Sequence, residues 1–248
     1  MKKLLILLWF LIPALCLGQG INVTHMVMKP GAGGAAVGDS YPAALDTAYF
    51  WIEATDNSDL TLDGADVDSW ADKSSNKWDL TAVVDKEPQW LDGVGVQFDV
   101  NDEMAKTSVS LAQPFTIFML LRIDAVGAGQ DFWDMNDGGD GKMEQYASSD
   151  RMSIDFGDAA AATEADDQEE DAWHVVRMYI NGASSYIQVD EHTQRTADVG
   201  DLDIDIITLG NENADACADY TLRCMIIMNG EVTTAMTAIY NYVDGLKP

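Results

Sequence analysis

From residue 48 onward the chain alternates short apolar runs with turn residues. The segments AYFWIEA (48–54), GVQFDV (95–100), PFTIFMLLRID (114–124), DAWHVVRMYI (171–180), SSYIQVD (184–190) and DLDIDIITLG (201–210) have the length and composition of strands. In DLDIDIITL the alternation predicts Leu202, Ile204 and Ile206 on a buried face, with Asp201, Asp203 and Asp205 on an acidic outer one. FTIFMLL is apolar almost throughout, as a central strand covered on both faces must be. Asn181-Gly182 lies between two strand-like runs and predicts a hairpin whose loop can exceed two residues.

Only the end of the chain reads otherwise. From Val232, Ala235, Ile239, Tyr242 and Val243 recur at helical spacing, with Thr233 as the expected cap and Gly245 and Pro248 as the stop. Many short strands and one terminal helix predict an all-β fold: a two-sheet antiparallel jelly-roll β-sandwich with one short C-terminal helix.

The first residues have a different character. Lys2 and Lys3 precede the apolar run LLILLWFLIPALCLG, which has the layout of a secretory leader and is too short to favour a membrane span. Residues 1–18 are therefore expected to be a signal peptide and 19–45 a Gly/Ala/Pro-rich arm. The sandwich domain is expected over 46–248. This organisation places the mature protein outside the cell, secreted, at a cell surface or in a virion, without membrane insertion after cleavage.

Charge narrows the partners. With 42 acidic residues against 14 basic ones, the formal net charge is −28. Such a surface repels nucleic-acid phosphates and anionic lipid headgroups. It suits a solvated extracellular protein or one that meets divalent cations. Beyond the leader only Cys217 and Cys224 remain, and export permits a disulfide between them. Cys224 lies within a strand-like run, so pairing requires the chain to fold back between them, and both states stay open.

Five segments appear in an order that resembles exported and phage-borne domains of the concanavalin A-like (laminin G-like) superfamily: WIEATDNSD at Trp51, WADKSSNK at Trp70, QFDVNDEM at Gln97, QPFTIFMLLR at Gln113 and TTAMTAIYNYV at Thr233. The resemblance covers nearly all of the expected domain and implies a jelly-roll in which the second segment is a tight structural turn. Ser75, Lys77 and Val100 stand where that pattern carries glycines, so the turn must use other left-handed residues, with Asn76 the expected one. In the same segment, Asp72, Ser74 and Asn76 are expected to satisfy backbone donors while Trp70 and Trp78 bury their rings.

The superfamily includes glucanases and lyases, but the Glu-x-Asp-x-x-Glu string and the Arg, Gln-x-His and Tyr motifs of those enzymes are missing. Glu53 and Asp56 are separated so as to fall on opposite strand faces, and His25, His174 and His192 show no metal spacing. The expectation is a non-catalytic binding module for a polysaccharide or glycosylated surface. Its rival is a structural or adhesion component that self-associates or assembles into a virion or cell surface. A hydrolase or lyase ranks behind both.

The segment DFWDMNDGGDGKMEQY offers Asp134, Asn136, Asp137 and Asp140 around glycines as a candidate calcium loop. Beside them, Trp133 and Tyr146, with Asn136 and the amides of Asn211 and Asn213, are candidate sugar-binding residues. This reading requires an exposed Trp133 ring; the competing one turns Phe132 or Trp133 inward.

Overall fold

The computed structural model describes residues 41–99, 101–125, 130–136, 141–145, 151–157, 161–162, 169–210 and 218–248. The expected leader and the arm up to residue 40 lie outside this set, as do Val100, Asp137, Asp140, Tyr146, Asn211, Asn213 and Cys217.

The described strands run β1 (Ala48–Glu53), β2 (Leu60–Asp63), β3 (Asp66–Trp70), β4 (Leu80–Ala82), β5 (Gln89–Leu91) and β6 (Gly95–Phe98). Then follow β7 (Glu103–Leu111), β8 (Phe115–Ala125), β9 (Gln130–Asp134), β10 (Gly141–Gln145), β11 (Met152–Phe156) and β12 (Ala161–Ala162). The last five are β13 (Trp173–Ile180), β14 (Ser185–Val189), β15 (Arg195–Ala197), β16 (Ile204–Gly210) and β17 (Asp219–Asn229), followed by helix α1 (Met236–Asp244).

The pairings between these strands are antiparallel and form two layers. The first runs β1–β17–β8–β13–β14–β15. The second runs β3–β4–β7–β16–β9–β10–β11–β12. Strands β5 and β6 link β3 to β17 and so join the layers at one side.

Strand β8 explains the architecture. Its odd residues Phe115, Ile117, Met119, Leu121 and Ile123 enter the core between the layers. Phe118 and Leu120 point the other way, into a second core. That outer core holds Trp51, Val175, Cys224 and Ile226 and is covered by Ile239 and Val243 of α1. Leu45, in a 3-10 turn over Ala43–Thr47, joins it, so the packed domain begins before residue 46. Cys224 is a free, fully buried thiol.

Several local expectations need correction. The helix has Ala235 at its N-cap and no side-chain cap hydrogen bond, so Thr233 does not cap it. Gly245 closes it in the right-handed region, at φ −67°. In β16, Ile204 faces the core but Ile206 does not; Ile207 and Leu209 take over. The pairing with β7 shifts between Ile204 and Ile206, opposite Ser108 at φ 64°, and this irregularity reverses the alternation. The β13–β14 hairpin forms as expected, with a loop over residues 181–184. Its left-handed residue is Gly182, at φ 49°, while Asn181 stays at φ −163°.

Candidate functional site

The turn 69–82 is structural. Asp72 is 1% exposed, and its carboxylate accepts four hydrogen bonds. These come from the backbone N–H groups of Trp51, Ser74 and Trp78 and from the Ser74 hydroxyl. Lys77, at φ 55°, supplies the left-handed residue at one of the positions where the superfamily pattern has glycine; Asn76 does not. Asn76 instead donates its amide to the Tyr49 carbonyl. Trp70 is fully buried and Trp78 half-buried.

Trp133 is fully buried, which removes it as an exposed sugar platform. Its indole N–H meets the Met119 sulfur of the opposite layer at 3.2 Å. The physical reason is a bulge: β10 pairs Met143 with Trp133 and then Glu144 with Asp131, skipping Phe132. Two consecutive aromatic side chains therefore turn into the same core. Nearby, Asp134 accepts the Asn136 N–H, and the Asn136 side-chain amide donates to the Asp203 carbonyl. The described residues contain no group of three or more His, Cys, Asp or Glu side chains arranged to hold a metal ion. Asp137 and Asp140, the remaining candidate calcium ligands, lie outside the described residues, as do Tyr146, Asn211 and Asn213.

A cleft of about 320 Å³ lies elsewhere, on the outer face of the first layer. Strand alternation builds its floor. Val176, Met178, Ile187 and Val189 point into the inner core, so Arg177 and Gln188 point outward, directly opposite each other across the β13–β14 pair. An Arg177 terminal nitrogen donates to the Gln188 side-chain oxygen at 2.5 Å, and the guanidinium lies 5.1 Å above the Tyr186 ring.

Helix periodicity builds the wall. Ile239 and Val243 dock α1 on the sheet, which leaves Thr237, Tyr240, Asn241 and Asp244 at i, i+3, i+4 and i+7 along one flank. Thr237, Tyr240 and Asn241 line the first cleft. An adjoining hollow of about 500 Å³ adds His192, Asp244 and Lys247, and shares Asp190, Glu191, Tyr240 and Asn241.

Asp190 sits where strand and cleft meet, in the left-handed region at φ 49°. Its backbone N–H donates to the Val175 carbonyl, and its carboxylate accepts the Val175 N–H at 2.9 Å. The other carboxylate oxygen is 2.8 Å from His174 Nδ1. A non-glycine residue held in this region by so many bonds is a strained, over-determined position of the kind that collects at binding sites. Burial pushes the Asp190 carboxyl up, but the His174 and Val175 hydrogen bonds outweigh it and hold it below the usual range. Burial lowers His174, yet its bonds to Asp190 and to Glu169 raise it overall. Burial, together with the negative field of Asp190, Asp244 and Glu191, pushes the Tyr240 phenol up to about 12. Tyr240 is thus a hydrogen-bond donor throughout the physiological range.

His174 Nε2 lies 3.0 Å from the Glu169 backbone N–H and 3.1 Å from its carbonyl oxygen. Both ring nitrogens are engaged within the protein, so the imidazole acts as a strut. The cleft combines an aromatic wall, side-chain amides and carboxylates, a set that hydrogen-bonds hydroxyls while an apolar face stacks on the ring. Sequence reasoning missed it, although the polar flank of α1 and the Arg177–Gln188 register were both within reach of the pattern.

No protein-family model and no curated protein matches the chain. Among solved structures, it is similar to Trypanosoma rangeli sialidase, with TM-score 0.60 and 14% identity over 83% of this chain and 34% of the other. It is also similar to the receptor binding domain of botulinum neurotoxin D, with TM-score 0.58 and 11% identity over 81% of this chain and 54% of the other. The binding domain of the C/D mosaic serotype gives TM-score 0.58 at 12% identity, over 79% and 51%. The chain spans about a third of the sialidase and about half of each toxin fragment. At these identities the likeness establishes a shared β-sandwich fold.

Proposed function

We propose that the protein is an exported, non-catalytic binding module of the concanavalin A-like type, which takes a polysaccharide or the glycans of a surface into the cleft between α1 and the β13–β14 hairpin. The observation that carries this reading is the convergence of Tyr240, Asn241, Gln188 and Asp190 on one open hollow. The fold shared with a sialidase and with a toxin receptor binding domain supports it.

The test is a glycan array probed with the full chain, with calcium and with EDTA, followed by titration of any hit against Tyr240→Ala. Loss of the ring should weaken binding by about 1–2 kcal/mol, roughly tenfold. Binding unchanged in that variant would move the site elsewhere, and silence across the array in both conditions would refute the carbohydrate reading. Release of reducing ends from a bound polysaccharide would replace the module with an enzyme.

A further inference from the structure

We infer that this cleft selects uncharged sugars and rejects carboxylated ones. The inference rests on the carbohydrate reading above and narrows it to a ligand class. Three carboxylates, Asp190, Glu191 and Asp244, line the two joined hollows, against the cations Arg177 and Lys247.

Both cations are engaged within the protein, Lys247 by carboxylates and Arg177 by neutral groups. The Lys247 ammonium is 2.7 Å from Asp244 and 3.9 Å from Asp190. Arg177 is held in the floor: its terminal nitrogens contact Gln188 and the Met236 sulfur, its plane lies over Tyr186, and its Nε is buried without a partner. Of the two nearby histidines, His174 is 5% exposed and bonded to Asp190 and the Glu169 backbone, while His192 lies exposed in the lining of the second hollow.

Glu191, by contrast, is exposed and has no ion-pair partner among the described residues. A ligand carboxylate entering here would give up water and meet three negative charges, Asp190, Glu191 and Asp244, against the two positive charges of Arg177 and Lys247. The chain's net charge of −28 adds repulsion at longer range.

A neutral sugar meets the opposite situation. Its hydroxyls can donate to the carboxylates in charge-assisted bonds and accept from the Tyr240 hydroxyl and the Asn241 amide. The neighbouring solved structures carry no weight for this class, since they share only the fold.

The experiment titrates the full chain with matched oligosaccharides that differ only in a hydroxymethyl against a carboxylate, such as a galacturonan fragment and the galactan obtained by reducing its carboxyl groups, of equal length and linkage. At about 50 mM NaCl the carboxylated member should bind about tenfold more weakly, and the gap should narrow at about 500 mM. Glu191→Gln should reduce the ratio of the two affinities at low salt about threefold or more. Equal or tighter binding of the carboxylated member at low salt overturns the inference while leaving the carbohydrate reading intact. A ratio unmoved by Glu191→Gln also overturns it. If no member of either series binds, the carbohydrate reading itself fails.

Discussion

Replacing Asp72 by Asn tests whether the 69–82 turn holds the sandwich together. The substitution keeps the shape of the side chain but exchanges one acceptor oxygen for an NH₂ group. In the native turn one oxygen takes the Trp51 and Ser74 N–H groups at 2.9 and 2.8 Å; the other takes the Trp78 N–H and the Ser74 hydroxyl at 2.8 and 2.7 Å. Whichever way the amide is turned, its NH₂ faces two donors, at least one of them a backbone N–H. Hydrogen bonds to a charged group contribute about 1.5–3 kcal/mol each, and loss of two in a buried place leaves donors unsatisfied. The expected cost is therefore about 3–5 kcal/mol. At about 2–4 °C per kcal/mol for a domain of this size, Tm should fall by about 10 °C. Urea denaturation of the full chain followed by tryptophan fluorescence should show a lower midpoint with an unchanged slope. Ser74→Ala, which removes the hydroxyl that bonds Asp72 and accepts the Asn76 N–H but leaves the carboxylate and its three backbone donors in place, should cost less, about 1–2 kcal/mol. If Asp72→Asn lies within about 0.5 kcal/mol of the parent, the carboxylate is not the organiser of this turn and the reasoning is wrong.

Trp133→Ala should destabilise the protein by about 3–5 kcal/mol through a cavity between the layers; a variant of parental stability that has lost glycan binding would reinstate Trp133 as a surface contact. The His174–Asp190 pair should make stability pH-dependent. The His174 pKa is raised above 6.5, so its contribution is complete below 6.5 and is lost as pH rises through the folded value. The Asp190 pKa is lowered, so its contribution is present above 3.8 and is lost as pH falls through the folded value. The destabilisation caused by His174→Gln should therefore be greatest between these limits and shrink at alkaline pH; a difference that does not vary with pH would contradict the pairing. Asp102 works the other way: burial pushes its carboxyl up to about 7, so the fold loses stability as pH rises from 3.8 to about 7. At about 1.4 kcal/mol per unit the ceiling is about 4 kcal/mol, and Asp102→Asn should recover part of it at pH of about 8. Equal stability of parent and variant under denaturant at that pH would refute the assignment.

The strands that sequence revealed best are those whose neighbours leave no choice. β8 is apolar on both faces because it has a core on each side, and that pattern is visible without knowing its partners. The Asp72 turn was legible in part: Asp72 and Ser74 bond local N–H groups as such residues do at chain reversals, but the Trp51 N–H and Tyr49 carbonyl that the turn also engages belong to β1. Failures came where a residue's direction depends on the facing strand. Phe132 and Trp133 both point inward only because β10 skips a residue, and Ile206 leaves the core only because β7 is irregular at Ser108. Lys77 rather than Asn76 took the left-handed position, a choice that local preference alone puts the other way round. Periodicity along one strand contains none of these cross-strand facts.

The cleft was hidden for a larger-scale reason, and the same reason explains why it exists. The first layer exposes a second apolar face, with Phe118, Leu120, Val175, Cys224 and Ile226, which must be covered. Helix α1 packs over β8 and β13 to do so. A helix is about 10 Å across and strands are about 4.8 Å apart, so one helix shelters about two strands. Strand β14 lies beyond that width, and its outward residues are correspondingly polar or amphipathic: Tyr186 and Gln188. Where the helix ends and the sheet continues there is a step, walled by Tyr240 and Asn241 and floored by Arg177 and Gln188. A longer cover would have filled the step, and no cover would have left Phe118 and Ile226 in water. The hollow thus follows from covering a wide sheet with a nine-residue helix, and its chemistry follows from the polar flank that such a helix must turn toward solvent.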